Sequence, residues 1–499
     1  MLNETSFEQF ESAVKSALAH GKKVVAVVRE TLGDFITPVA AYNAVRNFHG
    51  SALLESVSHD REQGRYSIVA TDPYLQFDPR QVEPHKDPLD EFRELLTAHS
   101  PEKTHPFFTG GAIGFLAHNA ICLQEPSVPR QTAGRGDLDL PELFFQFYQH
   151  IFVFDHATQS LCLVRIVNVE AFDQDDKYLK QSYDRALDML ELLERRLVSG
   201  KPLVAIAADS FSEIHTGLTV QEETDLESRI SKAKEHIAAG DVFQVVLSQR
   251  FEARFHPSQS LDFYRLLRRA SPSPYLFHVN FGVINPFSMP VALVGASPEV
   301  MVRVKDRSML VRPLAGTRRR GINLTEDETI GEELAADPKE QAEHRMLVDL
   351  ARNDVGRFCQ AGTVKVEGLM RVEPYGNVLH LVTDVRGQLK ESVSSLTAAL
   401  GSLPAGTLSG APKIRAMQII AELEPSARGP YGGAVGWLTD NDLDLCIMIR
   451  SASLAYGKIY WQAGAGVVAD SVAEKEIAEI MAKSESIRNV LRMMQGVIG

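Results

Sequence analysis

A chain of 499 residues exceeds what one ordinary hydrophobic core serves, so two or three domains or one large composite fold are expected. Apolar residues make up 44% and charged residues 23%, which excludes an extensively disordered polymer. With 52 Lys and Arg against 65 Asp and Glu, the net charge of -13 argues against a surface built for nucleic acid or anionic membrane, because phosphate binding is dominated by basic charge.

The N-terminal stretch MLNETSFEQFESAVKSALAHG has an amphipathic helical pattern without a basic n-region or an apolar h-region, so it does not read as a signal peptide. No run approaches the ~18–20 consecutive apolar residues that span a bilayer, and a cytoplasmic protein without a membrane segment is expected. Strands are predicted at 22–30, 51–57 and 64–71, with a helix over 40–47. The glycine-rich segment 107–120 precedes two adjacent strands at 144–156 and 160–169, and a long helix over 173–197 follows. Residues 199–219 lack a clear period and read as a linker. Helix resumes over 221–241 and strand over 242–253. Beyond that the elements mix without βαβ alternation, which predicts an α+β fold: a large two-layer α/β sandwich with antiparallel sheets. The four cysteines, Cys122, Cys162, Cys359 and Cys446, form no CxxC pair, so neither a zinc site nor a disulfide framework is expected.

Chemistry-bearing residues gather in the second half. In DPKEQAEHRMLVDLARND (337–354), Asp337 is the expected N-cap and Pro338 suits the first turn, which sets Glu340 and Glu343 three apart on one helix face. A second helix over 470–494, with Asp470 or Ser471 as cap, carries Glu476, Glu479 and Lys483 on one face. Two Glu-x-x-Glu helices can supply oxygen ligands to a hard ion such as Mg²⁺. Spacing alone is better accounted for by two solvated helix faces. The segment QAGAGVVADS (462–471) changes that balance, since a glycine-rich strand-to-helix turn offers backbone N–H groups to a carboxylate. RPLAGTRRRG (312–321) reads as a strand, a small-residue turn at Ala315-Gly316-Thr317 and three arginines that either bind an anion or form a solvated loop. LPAGTLSGAPK (403–413) gives a tight loop with exposed hydroxyls before a helix. Together these parts describe a site for a small, multiply anionic substrate held through a metal.

These four motifs, taken together, resemble those of the chorismate-utilising enzymes, and within them anthranilate synthase component I. The resemblance runs from about LLES (53–56) to the last helix. It implies a cleft between the layers of the sandwich that binds chorismate and Mg²⁺. Glu343 and Glu479 would ligate the metal directly, with Glu340 and Glu476 behind them or acting through water. Gly464 and Gly466, with Lys483, would hold the ring carboxylate, and Arg450 and Tyr431 the enolpyruvyl carboxylate. Gly316 and Thr317 would line the substrate. Glu299, in GASPEV, matches the acid that assists loss of the ring hydroxyl, and His380 and Thr407 lie near the reacting ring.

Within the family, relatives that use water carry a lysine where this chain has Gln244, and aminodeoxychorismate synthases show PIKGT where it has PLAGT, with Ala315 in place of the lysine. Both positions favour anthranilate formation over an aminodeoxychorismate- or isochorismate-type synthase. None of the cysteines lies in a GxCxG elbow, so ammonia is expected from a separate glutaminase subunit in a hetero-oligomer. Glu55 and Ser56 in LLES, with Pro274, Tyr275 and Leu276 in SPSPYL, resemble a tryptophan feedback site; read without the family, they are a sheet strand and a proline-stiffened loop. Ser271 and Leu276 depart from the commoner Asn and Met there, and 283–293 looks longer than usual. Residues 1–200 are thus expected to contribute the regulatory site and 220–499 the catalytic region.

Overall fold

Capping chemistry starts several helices where the sequence predicts. Ser6 and Gln9 form a capping box ahead of α1 (Phe7–Ala19). Thr37, Asp87 and Asp337 each accept backbone N–H groups just before a first-turn proline, opening α2 (Pro38–Val45), α3 (Pro88–His99) and, later in the chain, Pro338–Phe358. The remaining helices are α4 (Asp176–Ser199), α5 (Leu226–Ala238), α6 (Ser260–Ala270), α7 (Leu324–Ala336), α8 (the Pro338–Phe358 helix), α9 (Ser395–Ser402), α10 (Lys413–Leu423) and α11 (Ala473–Met494). The computed structural model describes residues 3–56, 64–130, 138–170, 176–200, 202–206, 221–222, 225–284, 290–375 and 378–494. Most of the expected linker, and the middle of 283–293, therefore lie outside the described residues. No described helix is long and apolar enough to cross a membrane.

The strands are β1 (Val24–Leu32), β2 (Ser51–Ser56), β3 (Tyr66–Phe77), β4 (Ala112–Leu116), β5 (Leu143–Asp155), β6 (Ser160–Asn168), β7 (Gln221–Glu222), β8 (Gln244–Arg254), β9 (Tyr275–Asn280) and β10 (Ala292–Ser297). They continue with β11 (Val300–Lys305), β12 (Ser308–Val311), β13 (Leu314–Arg319), β14 (Lys365–Tyr375), β15 (Val378–Gln388), β16 (Gly410–Ala411), β17 (Ala434–Leu438), β18 (Leu443–Ile447), β19 (Ser451–Ala455) and β20 (Lys458–Val467). They make one continuous antiparallel strip. From β8 it runs through β20, β19, β10, β9, β2 and β3 to β5. On its other flank, β5 takes β4 along Leu143–Phe147 and β6 along His150–Asp155. β4 leads on through β17, β18, β11 and β12 to β15, which also carries β13 and β14.

The strip folds back so that its arms share an apolar interior. Ala52, Ile68, Phe277, Val279 and Leu293 from one arm pack in the same cluster as Phe115, Phe144, Val435 and Cys446 from the other. The outer face of the first arm meets α1, α2 and α4 along β1, β2, β3 and β6, and α5, α6, α10 and α11 along β8, β9, β10 and β20. The outer face of the second arm meets α3, α8 and α9. The architecture is the expected α+β sandwich with antiparallel sheets, its helices covering both outer faces. Strands from the first 200 residues pair directly with strands beyond 220 (β2 with β9, β4 with β17), so the hydrogen bonding crosses the boundary between the two expected regions.

Candidate active site

Glu299 lies in the short link between β10 and β11. Its N–H donates to Ser297 Oγ (3.3 Å) and its carbonyl accepts from the Ile447 N–H (2.9 Å), which fixes the backbone. The side chain is 7% exposed, and Thr407, in a one-turn 3₁₀ helix (Gly406–Leu408), donates to its Oε1 at 3.2 Å. Burial pushes the carboxyl pKa up to about 8, against the opposite pull of Thr407 and Lys483. Such a carboxyl keeps its proton at neutral pH and can give it to a leaving group.

Gly316 adopts a left-handed φ of 66° and makes a bulge where β13 pairs with β15, between Ala315 and Thr317. The turn expected at 315–317 is thus a bulge inside a continuous strand. A Cβ on Gly316 would come 2.9 Å from Leu334 Cδ1 and 3.1 Å from Glu340 Oε2. The Gly316 carbonyl accepts from His380 Nδ1 at 2.8 Å, and Thr317 Oγ1 lies 3.3 Å from the same nitrogen. With Nδ1 as the donor, Nε2 is the bare nitrogen, and it is buried without a hydrogen-bond partner. Burial, helped by the charge of Arg450, holds His380 below the ordinary histidine range, so the ring is a neutral base.

Arg450 follows β18 with a left-handed φ of 48°. Its guanidinium is desolvated, which lowers its pKa, and it has no hydrogen-bond acceptor or carboxylate partner among the described residues. An uncommitted, desolvated guanidinium is suited to an incoming anion. Tyr431 is buried, and its hydroxyl lies 3.0 Å from where a Cβ on Gly464 would be. Gly464 and Gly466 lie inside β20, opposite Ser248 and Val246 of β8, rather than in the predicted strand-to-helix turn. The glycines extend the regular ladder, and the reversal falls at 468–472, where Ser471 Oγ accepts from the Val468 N–H before α11 begins at Ala473. Lys483 reaches back from α11, donating to the Gly464 carbonyl (3.0 Å) and pairing with Glu479 (2.7 Å).

The carboxylates of α8 and α11 influence one another. Crowding by protein raises the Glu343 pKa although its side chain stays open to solvent, and Glu340 and Glu479 push it further in the same direction. Glu340 accepts from Arg318 (3.1 Å), which also bonds Asp337 (2.9 Å), and Arg320 bonds Asp327 (2.8 Å); two of the three arginines are therefore engaged with the protein. Among the described residues no three ligating side chains converge tightly enough to hold a metal alone. Two carboxylates on different helices, Glu343 and Glu479, near enough for one to raise the pKa of the other, fit an ion that takes only one or two protein carboxylates and fills its shell with water and substrate oxygens.

The residues expected to form a feedback site also come together. β2 and β9 pair so that Glu55 opposes Leu276 and Ser56 opposes Tyr275. A cavity of about 500 Å³, lined by Leu54, Glu55, Ser56, Tyr275, Phe277 and Val435 among others, opens there; Pro274 is not on its wall. Glu299 is not on its wall; it borders a second cavity of about 30 Å³ shared with Thr407. Sequence reasoning missed the partners of Glu55. Arg268 donates to both its oxygens (2.9 and 3.1 Å) and Tyr264 donates to one. It also missed Asp444 and Arg303, which bond the Tyr275 hydroxyl at 2.9 and 2.8 Å. No sequence signal singles these out, because each looks like an ordinary helix or strand residue.

Residues 52–489 match the model of the chorismate binding enzyme family. This chain belongs to that family. It is 37% identical to anthranilate synthase component 1 of Acetivibrio thermocellus, over 94% of this chain and 96% of that protein. Its identity to the Streptomyces coelicolor protein of the same name is 40%, over 96% and 91%. Its fold matches the crystal structure of anthranilate synthase component I from Streptococcus pneumoniae with a TM-score of 0.68 at 33% identity, covering 92% of this chain and 98% of that one. The menaquinone-specific isochorismate synthase of Escherichia coli shares the fold at a TM-score of 0.71 and 20% identity, covering 96% and 99%.

Proposed function

We propose that this member of the family converts chorismate and ammonia to anthranilate and pyruvate, the first committed step toward tryptophan. The observation that carries the reading is the likeness to anthranilate synthase component 1 along nearly the whole chain, supported by a buried Glu299, beside Thr407, whose carboxyl pKa burial raises. Chorismate is a dianion, so its binding calls for cations and backbone donors in a pocket with little water. Arg450 and Tyr431 meet the enolpyruvyl carboxylate, while Lys483 and the β20 backbone at Gly464 and Gly466 meet the ring carboxylate; Gly316 and Thr317 line the ring. Ammonia forms a C–N bond at the ortho ring carbon as the ring double bonds shift and the hydroxyl departs. Glu299 supplies the proton with which that hydroxyl leaves as water, and the Thr407 hydroxyl steadies the carboxylate left behind. The ammonium so formed gives up a proton. Loss of the proton on the aminated carbon then breaks the C–O bond to the enolpyruvyl group, which leaves as its enolate and takes up a proton to become pyruvate as the ring becomes aromatic. The unpaired Nε2 of a neutral His380 supports it as the base that assists this step.

Glu343 and Glu479, with Glu340 and Glu476 beside them, would hold Mg²⁺, which when bound to the ring carboxylate supplies Lewis acidity. All four cysteines are buried, and burial raises the thiol pKa of Cys122, Cys162, Cys359 and Cys446, which supports a separate glutaminase subunit as the ammonia source. The cavity at Glu55, Ser56, Tyr275 and Leu276 takes tryptophan as feedback inhibitor, with Pro274 just outside its wall.

The purified chain is to be incubated with chorismate, Mg²⁺ and ammonium, following anthranilate fluorescence and pyruvate. Both products are expected, and both are lost on chelation or with Glu479→Gln. A non-fluorescent amino product without pyruvate would instead indicate an aminodeoxychorismate-type synthase. Glutamine in place of ammonium is expected to give nothing without the partner.

A further inference from the structure

Directly behind the reacting end of the site lies a buried ion pair that the mechanism above does not use. Arg428 has a side chain only 1% exposed, and Glu424 one of 3%. A guanidinium has five N–H bonds. Here Nε and Nη2 donate to the two Glu424 oxygens (2.8 and 2.6 Å), and Nη2 donates also to the Val246 carbonyl (2.7 Å). Nη1 donates to the Leu408 carbonyl (2.7 Å) and to His118 Nε2 (3.1 Å). His118 can accept because burial, with Arg428 beside it, holds it neutral far below its ordinary range. Glu424 in turn accepts from the N–H and Oγ of Ser248 (2.7 and 3.0 Å), and Gln462 donates to the Arg428 carbonyl (3.0 Å).

A buried ion pair is weak evidence of stabilisation, since well-packed apolar side chains often serve as well. The location of its acceptors is more informative. Leu408 follows Thr407, the donor to Glu299. Val246 is the register partner of Gly466, and Gln462 stands two residues before Gly464. The Tyr431 ring lies 5.9 Å beneath the guanidinium. Arg428 thus ties the Thr407 turn and the Tyr431 ring to its guanidinium and, through its own carbonyl and the Val246 strand, to β20, three segments that each carry a residue of the site. We infer that Arg428 is a positioning residue for the reaction: its fork sets the 3₁₀ turn that aims the Thr407 hydroxyl at Glu299. This role rests on the function proposed above. A lysine retains the charge but not the planar fork, so it cannot hold the Leu408 and Val246 carbonyls and both Glu424 oxygens together.

The experiment is a double-mutant cycle of Arg428→Lys with Thr407→Val in the full chain, assayed with chorismate, Mg²⁺ and ammonium and checked for fold by thermal melting and circular dichroism. Arg428→Lys is expected to lower kcat about 50-fold with KM changed less than about 3-fold. Thr407 favours the Glu299 anion, so losing its bond moves the alkaline limb of the kcat profile to higher pH, and Arg428→Lys shifts it in the same direction as Thr407→Val. The double variant is expected to be little worse than Thr407→Val alone. Additive losses with an unmoved alkaline limb, or a loss accounted for entirely by a smaller folded fraction, overturn the role. If Arg428→Lys does not fold, Glu424→Gln takes its place in the cycle, and failure of both to fold makes the pair a folding determinant and overturns the role as well. A wild-type chain that makes no anthranilate sinks the functional reading together with this one. An active wild type with an additive cycle sinks the Arg428 role alone.

Discussion

Whether a carboxyl serves as an acid near neutral pH depends on how costly its anion is where it sits. At Glu299 that cost is set by burial, and one hydroxyl and a nearby lysine offset it only in part. The group is therefore competent below its pKa of about 8 and loses its proton above it, so turnover is expected to fall on the alkaline side of that value. Glu299→Gln keeps the shape and removes the transferable proton. A kcat loss of about 10²–10⁴-fold is expected in the ammonium assay, with the fold retained. The same protonation has a linked effect on stability. The folded value lies above the unfolded one of 4.5, so the proton's contribution is complete below pH 4.5 and is lost as pH rises through about 8. A tenfold difference in proton affinity between the folded and unfolded chains corresponds to about 1.4 kcal/mol. Melts at pH 5 and pH 9 are expected to show Glu299→Gln gaining on the wild type at the higher pH.

At the scale of elements, the bulge in β13 and the two facing helices set the geometry, and both can be perturbed. Gly316→Ala forces a side chain into a left-handed φ and against Leu334 and Glu340, at a cost of about 1–2 kcal/mol from the backbone alone. Urea unfolding is expected to show that loss, and activity to fall further than stability because the carbonyl that fixes the His380 tautomer moves. On α8, Glu343 is held near other carboxylates that do not suit it without a cation. Glu343→Gln is therefore expected to leave the metal-free protein as stable as wild type or more so, by about 0.5 kcal/mol given the solvent around it. The Mg²⁺-dependent rise in melting temperature is expected to vanish in the same variant. Much of this was legible in the sequence: Asp337 and Pro338 announce α8, and the spacing of Glu340 and Glu343 sets their shared face. The pairing of Glu55 with Leu276 was not, because alternation identifies strands but not partners more than 200 residues away. Nor was the arrangement of β20, where GAG reads as a turn by composition but the ladder to β8 keeps it extended. The Arg428–Glu424 pair was illegible for a related reason, since charged residues are presumed exposed until the fold encloses them.

Across the whole molecule, the cavity over β2 and β9 and the site around Glu299 occupy different places in one sandwich. A ligand that binds only the folded state raises stability by mass action, about 2.7 kcal/mol at a hundred times its dissociation constant. Tryptophan is accordingly expected to raise the melting temperature of the chain without chorismate present. Ser56→Phe, which fills the cavity from β2, is expected to abolish that rise while ammonium-dependent turnover persists. A cavity closed without effect on the tryptophan-induced rise would place the inhibitor elsewhere.

The strip of strands also governs how the chain is made. β4, whose five residues Ala112–Leu116 are all buried in the finished protein, finds one neighbour in β5 soon after synthesis. Its other neighbour, β17, begins only at Ala434. At typical elongation rates of about 5–20 residues per second, an apolar edge with free backbone donors and acceptors waits on the order of tens of seconds beside the ribosome. The arrangement that joins both layers into a single sheet thus makes the nascent chain vulnerable to intermolecular pairing until its last third has emerged.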